Sequence, residues 1–130
     1  HESYWFYYKE NELQAVLKDQ WKLILPHVYR TLKDGKGGDG GIPADYTNLT
    51  SGLELYHLTD DRYESKDLAQ EHPEKVAELL KVAAAARAEL GDALTKEKGA
   101  GSREPGRLTA EESAALDKIH WPEGRKGKAK

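Results

Sequence analysis

Residues 4–25 read Tyr-Trp-Phe-Tyr-Tyr-Lys-Glu-Asn-Glu-Leu-Gln-Ala-Val-Leu-Lys-Asp-Gln-Trp-Lys-Leu-Ile-Leu. Three apolar runs are separated by two polar breaks. Tyr4 to Tyr8 is wholly aromatic, which favours a strand. Glu10-Asn11-Glu12 breaks it. Leu13 to Leu17 alternates, with Leu13, Ala15 and Leu17 expected on one face and Gln14 and Val16 on the other. Lys18-Asp19-Gln20 reads as a second turn. Trp21 to Leu25 forms a third strand with Trp21, Leu23 and Leu25 on one face, and Pro26 ends it because proline cannot donate to a ladder. Three short strands joined by tight turns make an antiparallel meander.

Outward from this meander, Asp34 to Gly41 holds five glycines in eight positions, the composition of a flexible or ligand-approaching loop. Leu53 to Leu58 alternates again and supplies a fourth strand, closed by Asp60-Asp61. Pro73 suits a first helical position, Val76, Leu79, Leu80, Ala83 and Leu90 follow helical spacing, and Gly91 is a natural stop. This helix of about five turns is expected to lie across one face of the sheet, which must cover its apolar side. From Thr95 to Arg107 glycine and charge predict a mobile linker. Thr109 and Glu112 form a capping-box pattern before a short helix ending near Ile119. The fold class expected is α+β, a four-stranded antiparallel sheet packed against a long C-terminal helix, with a flexible tail. The division expected is residues 1–94 as the folded domain and 95–130 as linker, short helix and basic tail.

Composition narrows the function. The chain has 130 residues, 38% hydrophobic and 33% charged, with a net charge of -3. That charge gives a nucleic-acid role no general electrostatic support. No cysteine is present, so a disulfide scaffold, a thiolate zinc site and a cysteine nucleophile are excluded within the chain. No apolar run approaches the ~20 residues that cross a bilayer. The opening at His1, directly into an aromatic strand, reads as a cut or processed end.

The order of these pieces resembles the C-terminal subdomain of arylsulfatase-type sulfatases. The carriers are the aromatic strand, Asn11-Glu12-Leu13-Gln14-Ala15-Val16, Trp21-Lys22-Leu23, Leu55-Tyr56-His57-Leu58-Thr59-Asp60-Asp61, and Leu68-Ala69 with His72-Pro73-Glu74. No one piece is diagnostic; their order and spacing over residues 1–92 carry the likeness. Tyr7-Tyr8 and the Trp-Pro tail are most similar to the arylsulfatase A and N-acetylgalactosamine-6-sulfatase group. Leu17, His57 and Asp61-Arg62-Tyr63-Glu64 depart from the family pattern, which commonly has Arg, Asp and Asp-Pro-Gly-Glu there.

The resemblance implies a parent that hydrolyses sulfate esters, on a sulfated carbohydrate, with a formylglycine nucleophile and a calcium ion. Both are expected in the catalytic domain and no cofactor in this chain. The nucleophile motif Cys/Ser-x-Pro-x-Arg is not present. Ser102-Arg103-Glu104-Pro105-Gly106-Arg107 has one residue too many between Ser and Pro. The partners expected are therefore the sulfatase catalytic domain and a sulfated sugar, with no nucleic acid and no membrane, in a periplasmic or secreted parent. The alternative is a stand-alone binding module left by a sulfatase that lost its catalytic half.

Within Pro26-His27-Val28-Tyr29-Arg30, His27 and Arg30 are the candidate substrate contacts, because a cation and an imidazole after a strand suit a sulfated sugar. The competing reading has both satisfying backbone groups and pairing with the catalytic domain. The loop Gly35 to Gly41 could close over substrate or be simply disordered. Tyr4 to Tyr8 could stack on sugar rings, although alternating burial explains them more simply. His57 reads as a structural histidine, and the five histidines show no metal-ligand spacing. Asn48-Leu49-Thr50 matches a glycosylation sequon by pattern, and the basic tail from Arg125 to Lys130 reads as a solvated end.

Overall fold

The computed structural model describes residues 2–32, 35–103 and 106–118. Strands β1 (Tyr4–Tyr8), β2 (Glu12–Lys18), β3 (Trp21–Ile24) and β6 (Glu54–His57) form one antiparallel sheet in the order β1-β2-β3-β6. This is the α+β fold with the four-stranded sheet expected. Lys18 pairs with Trp21 across a two-residue turn in which Asp19 and Gln20 both have positive φ, 49° and 66°, a geometry that matches the twist of a hairpin.

The face assignment on β2 differs from simple alternation. Phe6 pairs with Ala15 but Tyr7 pairs with Leu13, so Gln14 is the extra residue of a bulge. The bulge brings Leu13 and Val16, three residues apart, to the same inner face, both 0% exposed. Ala15 moves to the outer face beside Phe6 and Ile24, and Leu17 is only half-buried. Trp5, Val16, Leu23 and Leu55 then run as one cross-strand row into the core.

Helix α1 (Pro73–Leu90) packs on that inner face, against β2 and β3. It has 18 residues, an ordinary length and not a long one, and it is not the last helix. Leu79, Ala83 and Ala86 are its buried stripe, whereas Leu80, expected in that stripe, points outward. The small alanines let the helix lie close to the sheet. Lys18 of β2 and Lys75 of the helix both reach Glu78, at 2.9 and 2.8 Å.

Two further strands, β4 (Val28–Thr31) and β5 (Thr47–Thr50), pair antiparallel as a separate ribbon. The segment after β3 that carries Arg30, not marked as a strand in the sequence, is thus itself one. Valine, tyrosine and threonine favour the extended backbone there. Between them Gly40 and Gly41 take φ of 57° and 80°, and Ile42 N–H donates to Asp39 O at 2.9 Å, so the glycine stretch contains a defined turn.

The stretch expected as a linker from Thr95 is, through Ser102, folded onto the end of α1. Gly91 N–H donates to Arg87 O, Ala100 N–H to Ala88 O, and Gly101 N–H to Glu89 O. The Asn11 amide and the Ser102 hydroxyl donate to Leu90 O, at 2.8 and 3.2 Å. All four final carbonyls of the helix are thereby satisfied. Gly99 is buried in this crossing, where a Cβ would come within 2.3 Å of Gly91 N and Leu90 C.

Asp92 joins the cap to the sheet. Its carboxylate is 0% exposed and accepts from Leu13 N–H, Leu94 N–H and Arg87 Nε, at 3.2, 2.9 and 2.8 Å. Above it the Tyr7 hydroxyl shares its proton between Gly91 O at 2.8 Å and Ala86 O at 3.1 Å. Burial, and next the Asp92 charge, raise the Tyr7 phenol above its ordinary range and keep it a donor. Helix α2 (Ala110–Asp117) has the expected capping box between Thr109 and Glu112 and buries none of its residues. Ile119 and the basic tail Arg125 to Lys130 lie outside the described residues.

Removal of the Asp92 side chain leaves the Leu13 and Leu94 amides and the Arg87 guanidinium without their partner. Asp92→Ala is expected to cost about 3 kcal/mol in denaturant unfolding. Gly99→Ala is expected to cost about 2 kcal/mol in the same measurement, because its methyl meets backbone that has to move. Glu78, with Lys18 and Lys75 hydrogen-bonded to it, is lowered from 4.5 to about 2. A depressed carboxylate stabilises above its unfolded value, and that contribution is lost as pH falls through the folded one. The thermal midpoint should therefore fall as pH drops from about 4.5 to about 2, and Glu78→Gln should show a smaller fall over that interval.

Candidate functional site

The aromatic strand divides by face. Trp5 and Tyr7 pack on the core, while Tyr4, Phe6 and Tyr8 stand outward at 53%, 44% and 59% exposure. The outer face of the sheet is therefore aromatic where solvent reaches it. The β4–β5 ribbon follows directly from β3. Between ribbon and sheet lie two adjoining cavities.

The first, of about 350 Å³, is lined by Arg30, Tyr29 and Asn48 of the ribbon and by Tyr8, Lys9 and Gln14 of the sheet, with Val28. Arg30 is exposed, faces Asn48 across the ribbon, and stacks its guanidinium 5.7 Å from the Tyr46 ring. Among the described residues no carboxylate forms an ion pair with it. Lys9 reaches Glu12 only at 3.5 Å. Two cations beside two tyrosines suit an anionic ring compound.

The second cavity, of about 210 Å³, is lined by Phe6, Gln14, Ala15, Lys22, Ile24 and His27. Lys22 is held by both oxygens of Glu64, at 2.8 and 2.9 Å, so its charge is matched. His27 is half-buried. Its Nδ1 lies 2.6 Å from Leu25 O and 3.0 Å from the Ser51 hydroxyl, and its backbone N–H donates to Ser51 Oγ at 3.2 Å.

His27 and Arg30 thus line neighbouring cavities and do not share one. Gln14 borders both. The imidazole does satisfy a backbone carbonyl. The Gly35 to Gly41 stretch contributes no lining residue to either cavity. Tyr8, weighed in the sequence for sugar stacking, lines the first cavity; Lys9 and Gln14 were not legible as site residues. Their signal is the bulge, which turns Gln14 outward, and the one-residue step from the strand into the turn at Lys9. Asn48 of the sequon is exposed on β5.

A third cavity, of about 490 Å³, lies at the other end of the sheet beside the start of α1, lined by Trp21, His57, Asp60, Asp61, Lys66, Leu68 and His72. His57 Nδ1 meets Asp60 at 2.6 Å, and the rings of His57 and His72 lie 4.6 and 5.0 Å from Trp21. Both are tied to their neighbours. Asp61 accepts from Ser65 N–H, Lys66 N–H and the Ser65 hydroxyl, which close the turn after β6 and lower its carboxyl. Among the described residues no group of three or more His, Cys, Asp or Glu side chains is placed to hold a metal ion. No described helix is long and apolar enough to cross a membrane.

Comparison with curated proteins and with solved structures returns no match. The family model for the C-terminal region of aryl-sulfatase matches residues 1–108, a span that takes in both sheets, α1 and the cap at its end. The chain therefore belongs to the aryl-sulfatase family, as the C-terminal region of a sulfatase.

Proposed function

We propose that this region completes a sulfatase and lines its substrate pocket, with Arg30 and Lys9 receiving the anionic part of a sulfated carbohydrate and His27 contacting its neighbour group. The observation that carries the reading is the Arg30 cavity. An exposed guanidinium with no carboxylate partner among the described residues lies in a recess with Lys9 and two tyrosines. Hydrolysis itself, with its formylglycine and calcium, belongs to the catalytic domain, and this chain supplies binding and orientation. The finer likeness, to the arylsulfatase A and N-acetylgalactosamine-6-sulfatase group, rests on Tyr7-Tyr8 and points to the same substrate class. A periplasmic or secreted setting accords with such a substrate.

The alternative is a stand-alone module. Such a module should hide the outer aromatic face under its own tail helix or a second copy. Helix α2 buries none of its residues, and Tyr4, Phe6 and Tyr8 stay open. That favours a face made to be covered by the catalytic domain or by substrate.

The test is steady-state kinetics of the sulfatase that carries this region. A charge-assisted hydrogen bond is worth about 1.5–3 kcal/mol, so Arg30→Ala should lower kcat/KM on sulfate esters about tenfold to a hundredfold, mainly through KM. Unchanged kinetics with a lowered thermal midpoint would make Arg30 an interdomain anchor and sink the substrate contact.

A further inference from the structure

The four-stranded sheet has two edges, β6 and β1, and they are finished differently. In an antiparallel ladder successive residues turn their backbone N–H and C=O alternately to one side and to the other. Across the two-residue turn Lys18 and Trp21 exchange both bonds, so Val16 and Gln14 also turn to β3, and Leu25 N–H donates to Gln14 O at 2.9 Å. Lys22 and Ile24 then face β6, which leaves Leu55 and His57 turned to the far side of that strand. The chain closes this edge itself. Leu55 N–H donates to Asp67 Oδ1 at 2.9 Å, Leu68 N–H donates to Leu55 O at 2.8 Å, and the Asp60 and Asp61 amides donate to His57 O at 3.2 and 2.9 Å.

By the same alternation Ala15 faces β1, where it pairs with Phe6. Phe6 therefore turns its backbone to β2, and Trp5 and Tyr7 turn theirs to the open side. The bulge adds its residue to β2, so β1 itself keeps an unbroken alternation. Among the described residues the Trp5 and Tyr7 backbone groups on this side meet no hydrogen-bond partner. No proline or charged residue guards the strand, which reads Tyr-Trp-Phe-Tyr-Tyr throughout.

We propose that a β-strand of the catalytic domain pairs with this edge, exchanging main-chain hydrogen bonds with Trp5 and Tyr7 and lengthening the sheet by one strand. The occupant follows from the missing guards and from connection. An edge that met water for part of the molecule's life would need the charges or proline that β1 lacks. A C-terminal region lies on the same polypeptide as its catalytic domain. Such tethering holds a strand at an effective concentration on the order of mM, which a second copy would have to reach in solution. The inference rests on the reading that this region completes a sulfatase, and it concerns the edge of the sheet and not the cavities on its outer face.

The experiment is residue-resolved amide hydrogen exchange on the active, full-length sulfatase that carries this region. The expected result is that the Trp5 and Tyr7 amides exchange as slowly as that of Phe6, which lies inside the ladder. Alternation along β1, with Trp5 and Tyr7 at least about a hundredfold faster than Phe6, would mean a free edge and overturn the proposal. Two controls identify the occupant. Protection that disappears on dilution, as the mass of the sulfatase halves, would assign the edge to a second copy. Protection that disappears on deletion of residues 119–130 would assign it to the chain's own tail. Either result overturns the proposal, and protection that survives both supports it. If the full-length protein hydrolyses sulfate esters and both amides exchange freely, only the present inference fails. If it hydrolyses none, the reading on which the inference rests fails.

Discussion

Everything in the layered part of this region hangs on a buried carboxylate at the end of a helix. Asp92 sits where α1 stops, where the residues after it turn back, and where β2 begins. An unpaired charge there would be expensive to desolvate. Three donors from three places answer it, and each belongs to a different structural unit. The carboxylate thus fixes the helix end against the sheet, and the helix carbonyls beside it are closed by Ala100, Gly101, Asn11 and Ser102. The hydrophobic row from Trp5 to Leu55 supplies the driving force for burial. Asp92 decides the register in which helix and sheet meet.

The second constraint is the bulge at Gln14. One inserted residue lets Leu13 and Val16 both face the helix and sends Ala15 outward. The same residue is the one that the two outer cavities share. Core formation and cavity formation are two results of a single irregularity in pairing. This fits the general placement of bulges beside sites, where they redirect a side chain that regular pleating would bury.

The four main strands, the 18-residue helix and the capping box of α2 were legible because each carries its own local signal: aromatic or alternating runs, proline at the first turn, a Thr-x-x-Glu pattern. The inner face of β2 was not, since a bulge breaks the period of two on which face assignment depends. The β4–β5 ribbon was hidden by Pro26 on one side and the glycines on the other, which together read as loop. The cap after Gly91 was missed for the same reason, because glycines needed for close backbone approach look, in composition, like glycines of a linker. Of the site, Arg30 and His27 stood out by residue type. Lys9 and Gln14 did not, because only the bulge and the turn after β1 bring them beside the ribbon, across sequence distances no local pattern reports.

The tie between Tyr7 and Gly91 also bears on how the chain reaches this structure. These residues are 84 positions apart, and Leu13 and Asp92 are 79 apart. Contacts of such separation require the intervening loop to be closed before they return any stability, which slows folding. Within this region the β1–β2–β3 meander is made before α1, and its inner face lacks the helix until α1 follows. The helix in turn has no finished end until Gly99 to Ser102 have left the ribosome. For that interval a strand of five aromatic residues is held only by its hairpin partner. The meeting of β2 and the end of α1 on one carboxylate is thus the step that ends its exposure to unwanted association.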